Sequence, residues 1–141
     1  MSNWPKHIVR IAFALVFIIN VQCALQFVIW PQSFMGAYEL SGAAGAAAVQ
    51  GIGVAFLMWN ATYPAFIAKP DRFKVLGWVI VAQQAIGLIG ESLILATLAA
   101  GHDLLAASIL RFIAFDAAGL VIMLIALALY YAKNRSGDKR G

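Results

Sequence analysis

Apolar residues fill four long runs of this chain, and polar residues gather between them. The runs cover about residues 8–30, 43–68, 75–100 and 104–132. They are closed in turn by Pro31, by KPDRFK, by GHD and by KNRSGDKRG. None alternates as a half-buried strand would. Each exceeds the ~20 residues that a helix needs to cross the hydrocarbon of a bilayer. Lipid admits only helices or closed barrels, because every backbone polar group must be satisfied internally. The pattern predicts an all-α integral membrane four-helix bundle over residues 1–132, with antiparallel neighbours on short loops. The first connection, PQSFMGAYELSGAAG, is the longest, and it is expected to fold against the bundle mouth as a short helix or re-entrant piece.

Composition places this pattern in lipid. The 141 residues are 63% hydrophobic and 11% charged, whereas a soluble domain is about half apolar and about a quarter charged. The charges also give a direction. Lys6 and Arg10 precede the first run, Lys69, Arg72 and Lys74 separate the second from the third, and Lys133, Arg135, Lys139 and Arg140 follow the fourth. The other two loops carry no Lys or Arg. The positive-inside rule therefore puts both termini in the cytoplasm, with residues 31–42 and 101–103 outside. Residues 133–141 read as a basic, solvated cytoplasmic tail beside anionic lipid. The first run is too long for a signal-peptide core and reads as a retained helix. The expected location is the bacterial inner (cytoplasmic) membrane.

Several chemistries drop out. One cysteine, Cys23, excludes an internal disulfide and a cysteine-rich metal site. His7 and His102 lie at opposite ends of the chain, and neither shares a face with a carboxylate inside a run, so no metal and no cofactor is expected. Topology accounts for the basic residues, which leaves no case for a nucleic-acid partner.

The remaining polar residues share a level. Arg111 lies about seven residues, roughly 10 Å, inside the start of the fourth run at 1.5 Å per residue. Glu91 lies about nine residues in on the third run, Gln50 about seven on the second, and Gln22 and Gln26 about eight and four on the first, by the same rise. Asp116 falls near the midplane. Gln84, Gly87 and Glu91 occupy one helical face. Arg111 and Asp116 stand about 140° apart on theirs, so they are not natural partners. A charge at the centre of a span costs ~2.5–3.5 kcal/mol on insertion scales, so all three charges should face the bundle interior. Matching depth pairs Glu91 with Arg111. Asp116 is then left to hydrogen-bond with Gln84 or Asn20, or to meet water. The bland reading is an ion pair that only fixes helix order. The functional one is a pocket in the outer half of the membrane, with Arg111, Gln22, Gln26, Gln50 and Gln84 binding a ligand and Glu91 and Asp116 as catalytic proton carriers.

Four runs in this length, with WPQSFMGAYELSG after the first and the glycine-rich AAVQGIGVAFLMW in the second, resemble the small DoxX-like bacterial membrane proteins. The resemblance spans nearly the whole chain as a layout of hydropathy and glycines. It implies a four-helix membrane bundle, sometimes linked to redox or lipid metabolism, and assigns no residue a role. Three functions stay open. One is a pocket protein or small enzyme that takes an amphiphilic or lipid-like small molecule. Another is a small oligomeric proton-coupled transporter or channel. The third is an accessory subunit of a larger membrane complex. Membrane lipids are the common partner, with a homo-oligomer or a membrane-complex subunit beside them.

Overall fold

The computed structural model describes residues 4–138, and side chains up to residue 133. Helix α1 spans Trp4–Ile29. A short helix α2, Gln32–Met35, and a 3-10 turn over Gly36–Tyr38 follow. Helix α3 spans Gly42–Asn60 and α4 Tyr63–Ala68. Helix α5 spans Lys74–Thr97 and α6 Asp103–Asp138. Among the described residues, four segments are long and apolar enough to cross a membrane: α1, α3 with α4, α5 and α6. The second is broken at residues 61–62, where one continuous run was expected. Pro64 explains the break. It has no N–H for the preceding turn and its ring crowds that turn's carbonyl, so the chain restarts with the proline in the first turn of α4. Helix α6 continues past residue 132, and the tail residues 139–141 lie outside the described residues.

Helix α1 is the axis of the bundle. It packs against α3 on one side and α6 on the other, α6 packs against α5, and α4 bridges α1 to α5. The α1–α3 contact is close because of Gly53. A Cβ there would stand 2.7 Å from the Ala24 carbonyl oxygen, an unyielding backbone atom. The core lies toward the chain termini, where Val9, Phe13, Phe66, Ile80, Met123 and Leu127 are fully buried. Phe13 meets Phe66 with ring centroids 4.6 Å apart.

Polarity is inverted relative to a water-soluble protein. Met58 is 72% exposed and Ile86 70%, whereas Gln84 is 1% and Asp116 8% exposed. Apolar side chains coat the bundle, and the mid-helix amide and carboxyl are inside it.

At the terminal end one carboxylate ties three segments together. Asp71, in the loop before α5, accepts hydrogen bonds from Lys6 on α1 and from the Tyr130 hydroxyl on α6. The Lys6 ammonium, then the Tyr130 hydroxyl, hold its carboxyl below the usual carboxylate range, against a smaller opposing effect of burial. A carboxyl with a lowered folded value adds stability above its unfolded value of about 3.9, and loses it as pH falls through the folded value. Both charged groups are partly solvated, so the contribution is of the order of 1 kcal/mol at most. Asp71→Asn is therefore expected to unfold up to about 1 kcal/mol more easily at pH 7. The gap from wild type should close as the pH drops below about 4, measured as unfolding in mixed micelles. A gap unchanged at pH 3 would mean that the carboxylate charge does not contribute.

Candidate functional site

The opposite end of the bundle is roofed by the connection after α1. The carbonyl of Ala37 accepts a hydrogen bond from Ser108 Oγ on α6 at 2.7 Å. Glu39 sits in left-handed backbone geometry, with φ of 56°. Its carboxylate takes the Leu105 backbone N–H at 3.3 Å and pairs with His102. A carboxylate is well placed there, since it meets unpaired N–H groups and the positive end of the α6 dipole. The His102 hydrogen bond, more than the Leu105 N–H, holds the Glu39 carboxyl below its ordinary range, although burial opposes it. Burial pushes the Tyr38 phenol up, reinforced by Cys23 and Glu91 and opposed by Arg111.

Under this roof lies a first cavity of about 400 Å³, between α1, the roof and α6. Its polar lining is Asn20, Cys23, Ser33, Tyr38, Ser108 and Arg111. Aromatic rings supply most of the rest, among them Phe27, Phe56, Phe112 and Phe115. Phe27 is the hub of these rings, with Phe34 at 4.8 Å and Phe112 at 6.2 Å between centroids. The Arg111 guanidinium donates to Ser108 Oγ at 3.1 Å, one turn back on its own helix.

A second, smaller cavity of about 20 Å³ adjoins the first and shares Asn20, Phe56 and Phe112 with it. Its other lining residues are Trp59, Asn60, Gln84, Glu91 and Asp116. Gln84 Nε2 donates to Asp116 Oδ1 at 2.8 Å, joining α5 to α6. Gly87 lets this cavity close, since a Cβ there would fall 2.6 Å from the Trp59 ring and 2.8 Å from Asp116 Oδ2. Trp59 Nε1, Asn60 Oδ1 and Glu91 Oε2 are buried without hydrogen-bond partners among the described residues.

The residues expected to form one site are thus divided among four places. Gln84, Glu91 and Asp116 meet in the second cavity, and Asp116 takes Gln84 as its partner. Arg111 lines the first cavity. The expected Glu91–Arg111 ion pair does not form. Among the described residues the ion pairs are Lys6–Asp71 and Glu39–His102, and Arg111 is bonded to Ser108. The expectation rested on equal depth, but depth leaves rotation about the axis open. Helix α6 lies between α1 and α5, so its Arg111 face turns to α1 and its Asp116 face to α5.

Gln22, Gln26 and Gln50 also lie outside both cavities. Asn20, Cys23 and Phe27 form the cavity face of α1, and Gln22 and Gln26 each precede a member of that face by one residue, about 100° around. They line a separate groove of about 440 Å³ on the outer surface of α1. Gln50 is exposed and donates to the Val28 carbonyl at 3.1 Å, which fastens α3 to α1. Tyr38, Ser33, Ser108 and Trp59 enter the cavities without having been singled out. Ser33 and Tyr38 come from a loop whose fold has no periodicity to read. Trp59, beside Asn60, was detectable only as a polar-edged ring in the last turn of α3.

Neither a protein-family profile, nor a characterised protein, nor an experimentally solved structure matches the chain.

Two double-mutant cycles check the division. Glu91→Gln and Arg111→Met should be additive to within about 0.5 kcal/mol. Gln84→Leu and Asp116→Leu should each cost ~1–3 kcal/mol, by leaving a buried polar partner unsatisfied. Together they should cost clearly less than their sum. Unfolding in mixed micelles gives all six values, and a coupling above about 1 kcal/mol between Glu91 and Arg111 would reinstate their ion pair.

Proposed function

We propose that this is a multi-pass membrane protein whose first cavity binds an amphiphilic, lipid-like small molecule, with Arg111 engaging its polar or anionic head. The observation that carries the reading is Arg111 itself. It is a cation on the wall of an aromatic cavity, bonded to a serine and, among the described residues, within ion-pair reach of no carboxylate. An apolar cavity with a few convergent polar groups suits such a ligand. The apolar coat of the bundle supports insertion in lipid, since α-helices whose outer faces are apolar lack the polar outer stripe of a soluble bundle. Placement in a bacterial inner membrane with both termini cytoplasmic, and kinship with the DoxX-like proteins, belong to the same proposal and rest on loop charge and helix layout. Glu91 and Asp116 are its proton-handling groups, one aromatic wall behind the head-group site.

The transporter alternative has less support. Below the second cavity the interior closes mainly with Phe13, Phe66, Ile80, Met123 and Leu127; the same core cluster holds the phenols of Tyr63 and Tyr130 but no carboxyl, amine or imidazole. A role beside a second copy or a larger membrane complex has one observation in its favour. The groove holding Gln22 and Gln26 presents amides on the outside of α1, where a partner helix could bond them.

Two experiments test the proposal. Native mass spectrometry of the protein released from lipid should show a bound amphiphile. A charge-assisted hydrogen bond is worth ~1.5–3 kcal/mol, so Arg111→Met should weaken that binding about 10- to 100-fold. Equal occupancy in the variant would remove Arg111 from the site. For orientation, Ser33→Cys and Ser136→Cys are placed separately in a Cys23→Ser background in intact cells. An impermeant maleimide should label position 33 and spare position 136, and the reverse pattern would invert the topology.

A further inference from the structure

Three of the residues lining the second cavity each carry a buried polar atom that has no hydrogen-bond partner among the described residues. Trp59 Nε1 is a donor, while Asn60 Oδ1 and Glu91 Oε2 are acceptors. Asn60 is only 3% exposed, so bulk solvent does not satisfy it. Buried polar atoms are nearly always paired, and those that lack a protein partner are commonly met by an internal water.

We propose that this cavity is a built-in water site. One water accepts the Trp59 indole N–H and donates its two protons to Asn60 Oδ1 and Glu91 Oε2. The donor and acceptor counts match a water molecule on all three contacts. So does the space. The cavity measures about 20 Å³, and a single water needs about 10–15 Å³ of such volume. An organic ligand is far too large. A metal cation is opposed by the unpartnered N–H of Trp59, and an anion by the carboxyl groups of Glu91 and Asp116. A dry cavity would leave all three atoms unsatisfied, whereas empty cavities in proteins are apolar.

The site gives Glu91 the partner that Arg111 does not provide. It also sets a mobile proton carrier against Asn20, in the wall shared with the first cavity. The inference does not depend on an amphiphile binding beside Arg111, because the three orphaned atoms belong to residues that line the second cavity.

The test uses the full chain in lipid nanodiscs with 15N-labelled tryptophan. The Trp59 indole signal is identified by its disappearance in Trp59→Phe. In the wild type, its N–H should show a cross-peak to water and the downfield shift of a hydrogen-bonded indole. Asn60→Leu removes one acceptor from the site and should abolish or strongly weaken that cross-peak. If Asn60→Leu fails to fold, the wild-type spectrum decides alone. A Trp59 N–H with no water cross-peak and the shift of an unbonded indole would overturn the proposal. So would a Trp59 signal that moves when sodium replaces choline in the buffer, because the occupant would then be a cation.

Discussion

The hydrogen bond from Gln84 to Asp116 determines how the charged residues of this protein are distributed. It joins α5 to α6 at 2.8 Å inside the bundle, with Asp116 only 8% exposed. A carboxyl buried among apolar helices requires a donor, and Gln84 is that donor. Once Asp116 faces α5, the helix places Arg111 about 140° away, toward α1 and the roof. Glu91, two turns beyond Gln84 on the same face, is drawn into the cell around Asp116. One interhelical contact thus sends the two acids to one cavity and the cation to the other.

That separation has chemical consequences. A Glu91–Arg111 pair would have neutralised both groups and left a structural pin. Instead the guanidinium is available to a ligand in an aromatic cavity, while two carboxyl groups occupy a polar cell behind Phe56 and Phe112. In the proposed function, the rings shared by both cavities would be the boundary between the head-group site and the proton-handling site.

The two ends of the bundle are secured by carboxylates of another kind. Asp71 gathers α1, the loop before α5 and α6 at the terminal end, and Glu39 anchors the roof to the start of α6 at the other. Both are partly solvated and individually weak. Their contribution is registration, since each holds segments from distant parts of the chain at one point. Glu39 does so from a backbone conformation that a non-glycine residue adopts only under constraint.

Hydropathy alone determined the four long apolar helices, and the constant rise per residue set the expected depths of Arg111, Glu91, Gln50 and Gln22, although Gln50 meets α1 at Val28, six residues beyond Gln22. Periodicity also determined that Gln84, Gly87 and Glu91 share a face and that Arg111 and Asp116 do not. It could not determine which neighbour each face meets, because that depends on how the helices are ordered and rotated in the bundle. Tertiary packing therefore set Gln22 and Gln26 on the outer surface, spent Gln50 on the Val28 carbonyl and left Arg111 without Glu91. It likewise brought in Ser33 and Tyr38, whose loop has no repeating pattern and takes its shape from contacts with α6. The break at residues 61–62 was marked by Pro64, but its result, α4 wedged between α1 and α5, exists only where three helices meet.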